Sequence, residues 1–206
     1  MIEFAAVVVG SYLIGSIPSG LVLGKLRGVD LREYGSGKTG TANVLRTLGT
    51  RAAAVAFIAD VLKGVIAIVL ARYVLGTPAG EMAAGFAAIA GHNWSVFIRF
   101  RGGRGVATSV GGLFVMAPVV AASGFAIFAI IAAVSRYVSL GSMLGGLSAV
   151  AMMAAFVALD KAPAQHLIYV GVAAALIVLQ HRDNIARLLS GSESKLGQKG
   201  ERKQTG

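Results

Sequence analysis

The stretch Gly91-His92-Asn93-Trp94-Ser95-Val96-Phe97-Ile98-Arg99-Phe100-Arg101-Gly102-Gly103-Arg104-Gly105-Val106-Ala107-Thr108-Ser109-Val110-Gly111 decides how this chain is read. It joins two apolar segments, 82–92 and 106–116, each short for a membrane crossing. Three arginines fall within six positions, and Gly102, Gly103 and Gly105 bracket the last of them, Arg104. Glycine lets backbone N–H groups turn toward an anion without a Cβ in the way. The helix expected from Val106 adds free N–H groups and a partial positive charge at its first turn. Together they predict a phosphate cradle at a membrane surface. The plainer alternative is a basic loop that only sets membrane orientation.

The composition supports the membrane setting. Of 206 residues 56% are hydrophobic and 14% charged, against roughly 25% charged in soluble domains. The 28 glycines suit close helix packing and broken helices. Cysteine is absent, which excludes disulfides and thiolate chemistry. The net charge of +10 sits in loops and the tail, so anionic lipid head groups and phosphorylated metabolites are the expected partners, and nucleic acid is not. No basic region precedes the first apolar run, so no cleavable signal peptide is expected.

Outward from the central loop, the apolar segments are 2–23, 52–75, 82–92, 106–116, 119–134, 140–159 and 166–179. Pro18 is expected to bend the first. The expected fold is therefore all-α: a polytopic membrane protein of about seven transmembrane helices, the third and fourth short or broken. Residues 1–197 form one membrane-embedded domain and 198–206 a basic, disordered tail. With the N-terminus outside, every lysine and arginine lies inside except Lys63, Arg72 and Lys161, a strong positive-inside pattern. Asp60 and Lys63, three apart on the second segment, share a helical face. A structural ion pair anchoring the central loop is favoured over a proton relay.

Two further polar stretches are predicted on the same face. Ser36-Gly37-Lys38-Thr39-Gly40-Thr41-Ala42-Asn43-Val44-Leu45-Arg46 is a second anion-friendly loop, without the spacing of a nucleotide P-loop. His181-Arg182-Asp183-Asn184-Ile185-Ala186-Arg187-Leu188 places His181 and Asn184 on one helical face, where they would meet a hydroxyl and a phosphate. Read singly, the first is also a surface turn and the second an interfacial amphipathic helix.

Taken jointly and in order, these stretches resemble the bacterial membrane acyltransferases that acylate glycerol-3-phosphate with acyl phosphate. The carriers are S-G-x-x-G-x-x-N-x-x-R from Ser36 to Arg46, G-H-x-x-x-x-F with G-G-[KR]-G-V-A-T from Gly91 to Thr108, and H-x-x-N-I-x-R-L-x-x-G-x-E-x-K from His181 to Lys195. The family usually has lysine where this chain has Arg104, which keeps the charge and changes its geometry from a point to a fork. The resemblance implies transfer of an acyl group from acyl phosphate to glycerol-3-phosphate, giving 1-acyl-glycerol-3-phosphate (lysophosphatidic acid) and inorganic phosphate. It implies a bacterial cytoplasmic membrane, and the charge distribution puts the C-terminus and the site on the cytoplasmic side. Ser36, Arg46, His92, Arg104, His181 and Asn184 are expected to carry catalysis. Gly37, Thr41, Asn43, Gly102, Gly103, Gly105, Thr108 and Ser142 are expected to bind substrate. No metal or cofactor is expected, since His92, His166 and His181 are isolated, and a monomer is the expectation. A small transporter for an anionic solute is the rival reading, because bent glycine-rich helices and basic groups suit one. Polar groups gathered on one face, not at the midplane, argue against it.

Overall fold

The computed structural model describes residues 1–202, and all regular structure among them apart from one isolated bridge is helical. The first segment is broken: α1 (Ile2–Ser16) and α2 (Ser19–Lys25) meet at Ile17 and Pro18. Proline has no N–H to give and disfavours helical backbone in the residue before it, and Ile17 accordingly sits at φ −59°, ψ 116°. The loop that follows leads to the short α3 (Thr41–Leu48). α4 (Thr50–Leu75) is an unbroken helix of 26 residues that stops at left-handed Gly76.

α5 (Pro78–Asn93) starts on a cap in which Thr77 Oγ1 accepts from the Gly80 amide at 3.1 Å, with proline at its first position. Its 16 residues reach about 24 Å, short of the ~30 Å hydrocarbon layer. α6 (Val106–Met116) has 11 residues and ends where Pro118 begins the next helix. α7 (Pro118–Ser135), α8 (Val138–Ala158) and α9 (Ala164–Gln180) complete the bundle, and α10 (Arg182–Leu189) turns away from α9 by 56°.

By length and composition, 2–25, α4, α7 and α8 can each cross a membrane, and α9 with α10 makes a fifth if the bent pair is one span. α5 and α6 fall short of that measure, as the sequence expects of the third and fourth segments. α6 lies tightly on α4 because glycine removes the side chain at both touching points. A Cβ on Gly64 would strike the Thr108 carbonyl, and one on Gly111 would strike that of Val61. This backbone-to-backbone contact lets so short a helix stand inside the bundle. α1 packs on α5, and α7 on α8 and α8 on α9, leaving an elongated gap bordered by α4, α6, α7, α8 and α9.

Residues 200–202 are tied to the body of the protein by main-chain bonds. Gly200 donates to the Arg46 carbonyl at 3.0 Å, Gly35 donates to the Glu201 carbonyl at 2.9 Å, and Tyr34 and Arg202 form an antiparallel bridge. Residues 198–202 therefore run along the loop before α3. The expectation of disorder for 203–206 lies outside the described residues.

Candidate active site

The gap is a cavity of about 460 Å³ with two unlike ends. Ser36, Thr41, Arg46, Arg104, His181 and Asn184 line one. Phe57, Leu113, Phe125, Phe128 and Tyr169 line the other. Tyr169 in α9 and His181 at its C-terminal cap, both on the wall, are twelve positions apart, so this wall spans about 18 Å.

The polar end is built by three loops and the helices they feed. Asn43, buried in α3, donates to the carbonyls of Leu31, Tyr34 and Lys38 at 3.0, 3.1 and 2.9 Å and accepts from the Ser36 amide at 3.2 Å. Its side-chain amide thus shapes the loop, and the residue also lines the cavity. That loop places Ser36 at the cavity and Thr41 Oγ1, buried without a partner, beside it. Gly37, at φ 71°, serves the turn and does not line the cavity. Arg46 Nη2 donates to the Ser194 carbonyl at 3.1 Å.

The arginine loop differs in detail from a simple amide cradle. The amides of Gly102 and Gly103 donate to the carbonyls of Asn93 and His92 at 3.1 and 3.0 Å. They close the C-terminus of α5, whose last carbonyls need donors, and are not free for an anion. The free amides lie one step on. Gly105, at φ 79°, caps α6, and the first intrahelical bond is from Ser109 to Gly105 at 2.8 Å. Gly105, Val106 and Ala107 line the cavity, so the N-terminal amides of α6 are those that border it. Thr108 does not line the cavity; its hydroxyl is buried and unpartnered, and its main-chain carbonyl faces Gly64 of α4.

Arg104 is half-buried and its Nε has no partner. Burial, with the charges of Arg187 and Arg46, draws its pKa down to about 10 against the pull of Glu193, so it remains a cation at neutral pH. Burial also lowers Arg46. Two half-buried guanidiniums with one carboxylate between their neighbours favour an incoming anion.

At the α9–α10 elbow the His181 Nδ1 lies 2.7 Å from the Ile177 carbonyl. A carbonyl only accepts, so Nδ1 carries the hydrogen and Nε2 is the free acceptor. Burial first and the Arg104 charge second push His181 down to about 4, so the ring is neutral at pH 7. Asn184 is buried, donates to Glu193 Oε1 at 2.6 Å and keeps Oδ1 unpartnered. The site thus offers two acceptors for a hydroxyl beside two cations. Ser142 is on the wall, its hydroxyl returned to the Val138 carbonyl at 2.9 Å.

Glu193 is the group the sequence reading left without a role. It accepts from Ser139 Oγ at 2.7 Å, from Asn184 at 2.6 Å and from Arg187 Nε at 2.7 Å. Burial raises its pKa, but those three donors outweigh it and hold the carboxyl below its usual range. Glu193 joins α8, α10 and the tail; the signal was an acid within a motif otherwise nearly free of them. His92 lines the cavity too, with Nδ1 3.6 Å from Asp60 Oδ1. Among the described residues no group of three His, Cys, Asp or Glu could hold a metal ion.

Fold and site together define an integral membrane protein with a chamber that carries arginines at one end and apolar side chains along the rest. The family model for glycerol-3-phosphate acyltransferases matches residues 5–191. The chain belongs to that family. It is 47% identical to the glycerol-3-phosphate acyltransferase of Thermoanaerobacter pseudethanolicus over 93% of this chain and 94% of that one. It is 41% identical to that of Rubrobacter xylanophilus over 96% of each. The crystal structure of PlsY (YgiH), an integral membrane glycerol 3-phosphate acyltransferase, in its glycerol 3-phosphate form aligns with a TM-score of 0.87 at 39% identity, covering 94% of this chain and 96% of that one. Its lysophosphatidic acid form aligns with a TM-score of 0.85 at 38% identity, over 94% and 95%.

Proposed function

We propose that this acyltransferase takes its acyl group from acyl phosphate, transfers it to the 1-hydroxyl of glycerol-3-phosphate, and releases lysophosphatidic acid and inorganic phosphate. The observation that carries this reading is a cavity with an arginine-lined end and an apolar remainder, about 18 Å from Tyr169 to His181 in all. A phosphorylated head group suits the first and an acyl chain the second.

Acyl phosphate is a mixed anhydride with a good leaving group, so direct attack by the hydroxyl suffices. The glycerol oxygen bonds to the acyl carbon, the bond from that carbon to the phosphate oxygen breaks, and the hydroxyl proton passes to the departing phosphate. The protein's task is to hold two anions close against their repulsion and to aim one hydroxyl. Arg46 and Arg104 hold glycerol-3-phosphate, and His181 Nε2 and Asn184 Oδ1 accept from its hydroxyls. Ser36, Thr41 and the N-terminal amides of α6 hold the acyl phosphate head. Ser142 borders the chain, Asn43 and Gly37 shape the first loop, Gly102 and Gly103 set the reach of Arg104, and Thr108 seats α6. His92 positions the arginine loop. No metal or cofactor takes part.

The chain crosses a bacterial cytoplasmic membrane seven times as a monomer, with the N-terminus outside and the site on the cytoplasmic side. α5 and α6 are its two short crossings. The positive-inside distribution supports this orientation. The test of the donor is turnover of detergent-purified protein with glycerol-3-phosphate and either acyl phosphate or acyl-CoA under matched conditions. Acyl phosphate is expected to be used and acyl-CoA to be a poor donor; comparable rates overturn the donor assignment. EDTA is expected to leave the rate unchanged, and loss on chelation with recovery on zinc refutes the metal-free scheme.

A further inference from the structure

We propose that Asp60, inside the membrane-spanning α4, is a positioning residue for the arginine loop and acts on it through His92. Asp60 is 1% exposed and Lys63 4%, and the two are joined at 2.6 Å. Lys63 also donates to the Ile17 carbonyl at the break in the first segment. Ser95, just past α5, donates to the Ser16 carbonyl at the same break. The ion pair thus sits where the broken helix, α4 and the end of α5 converge. With His92 and Ser95 it encloses a void of about 10 Å³, near the limit for one water molecule.

A charged pair so deep in a membrane bundle is costly, and packing alone does not require one. The geometry supplies a use. The Asp60 carboxylate faces Nδ1 of His92 at 3.6 Å. It favours the hydrogen on Nδ1 and turns the other edge of the ring toward the loop. Gly103 lies flush against that edge: a Cβ there would collide with His92 Nε2, and one on Gly102 would collide with the His92 carbonyl. The Gly103 amide bonds the same carbonyl at 3.0 Å. Side chain and main chain of His92 therefore hold the residue immediately before Arg104 from two directions. A ring free to rotate would release Gly103 and spread the positions Arg104 can take. Asp60 borders the cavity beside His92, and the contact that holds α6 on α4 is made by Gly64 and Gly111 instead.

The inference rests on the proposed placing of Arg104 on glycerol-3-phosphate. Asp60→Asn alone would strand Lys63 as an uncompensated buried charge, so the test uses Asp60→Asn with Lys63→Gln. Glycerol-3-phosphate binding by calorimetry without donor, KM and kcat for acyl transfer, and thermal unfolding in detergent are measured in four proteins: the native chain, the paired substitution, Arg104→Ala, and all three changes together. The paired substitution is expected to weaken glycerol-3-phosphate binding and raise its KM by about tenfold, with little change in unfolding temperature. In the Arg104→Ala background it is expected to change neither, because its route to the substrate is gone. An equal loss in both backgrounds, or no change in KM and binding, overturns the proposal. Asp60→Glu keeps the charge balance and moves the carboxylate by one methylene. It is read in the same cycle should the pair not fold, with the same loss expected and the same dependence on Arg104. Absence of acyl transfer by the native chain would strike the reaction assigned above, while the binding cycle still decides the role of Asp60.

Discussion

Arg104 carries the sharpest consequence at the scale of single residues. Its guanidinium is half-buried, cationic and has an unpartnered Nε at the cavity. A charge-assisted bond to a phosphate there is roughly twice as strong as a neutral one. Arg104→Ala is therefore expected to cost about 2–4 kcal/mol of transition-state stabilisation, or roughly 30- to 1000-fold in rate. Arg104→Lys should recover much of it, and Arg99→Ala, in the same loop but outside the glycine run, should change little. Specific activity per folded protein checks this; equal small losses at both arginines would leave the loop with only a topological role. His181 gives a pH prediction. Its folded pKa, about 4, is depressed below the ordinary 6.5, so the unfolded chain binds the proton first as pH falls. Stability should decline through the window from about 6.5 to about 4, and no protonation of His181 should limit activity near neutrality. A His181→Gln variant whose unfolding temperature loses that acid dependence is the expected control. The sequence brought Ser36, Arg46, Arg104, His181 and Asn184 forward, and all five line one cavity. It did not tell donor from support. Asn43 lines the cavity, and its amide also holds the loop through the carbonyls of Leu31, Tyr34 and Lys38, partners set by loop geometry that no local pattern announces.

At the scale of elements, apolar runs and punctuation located the helices closely. Pro18 marks the break in the first segment, and Gly105 and Pro118 bracket α6, whose bounds match the apolar run 106–116. What spacing could not show was the use of the glycine amides. Gly102 and Gly103 bond the end of α5, and the free amides belong to α6, because a helix end demands acceptors and donors that sequence does not pair. Nor could it show why α6 stands within the bundle, since the contacts at Gly64 and Gly111 join residues far apart in the chain. Gly64→Leu is expected to force α4 from α6, costing at least the ~1–3 kcal/mol typical of overpacking. Loss of unfolding temperature in detergent, with activity falling as α6 shifts, is the readout. A stable, active Gly64→Leu protein would show that the contact is not needed.

The whole molecule brings together a membrane bundle, a chamber and a charge distribution, and each was legible to a different degree. The all-helical membrane fold followed from composition and from apolar runs broken by glycine and proline. The chamber did not, because its walls come from α4, α6, α7, α8 and α9, and only packing reveals a gap. Glu193 likewise binds Ser139, Asn184 and Arg187, a union across α8, α10 and the tail that no local pattern announces. The charge distribution predicts the C-terminus inside, so an alkaline phosphatase fused there should be inactive in intact cells, and an active fusion would reverse the topology. The central claim is transfer from acyl phosphate to glycerol-3-phosphate within one detergent-solubilised chain, and its most direct measurement is phosphate release by the purified protein with both substrates present. The account predicts release of phosphate in step with labelled lysophosphatidic acid, at a rate greatly reduced by Arg104→Ala. No release in detergent, where no second compartment exists, would contradict it.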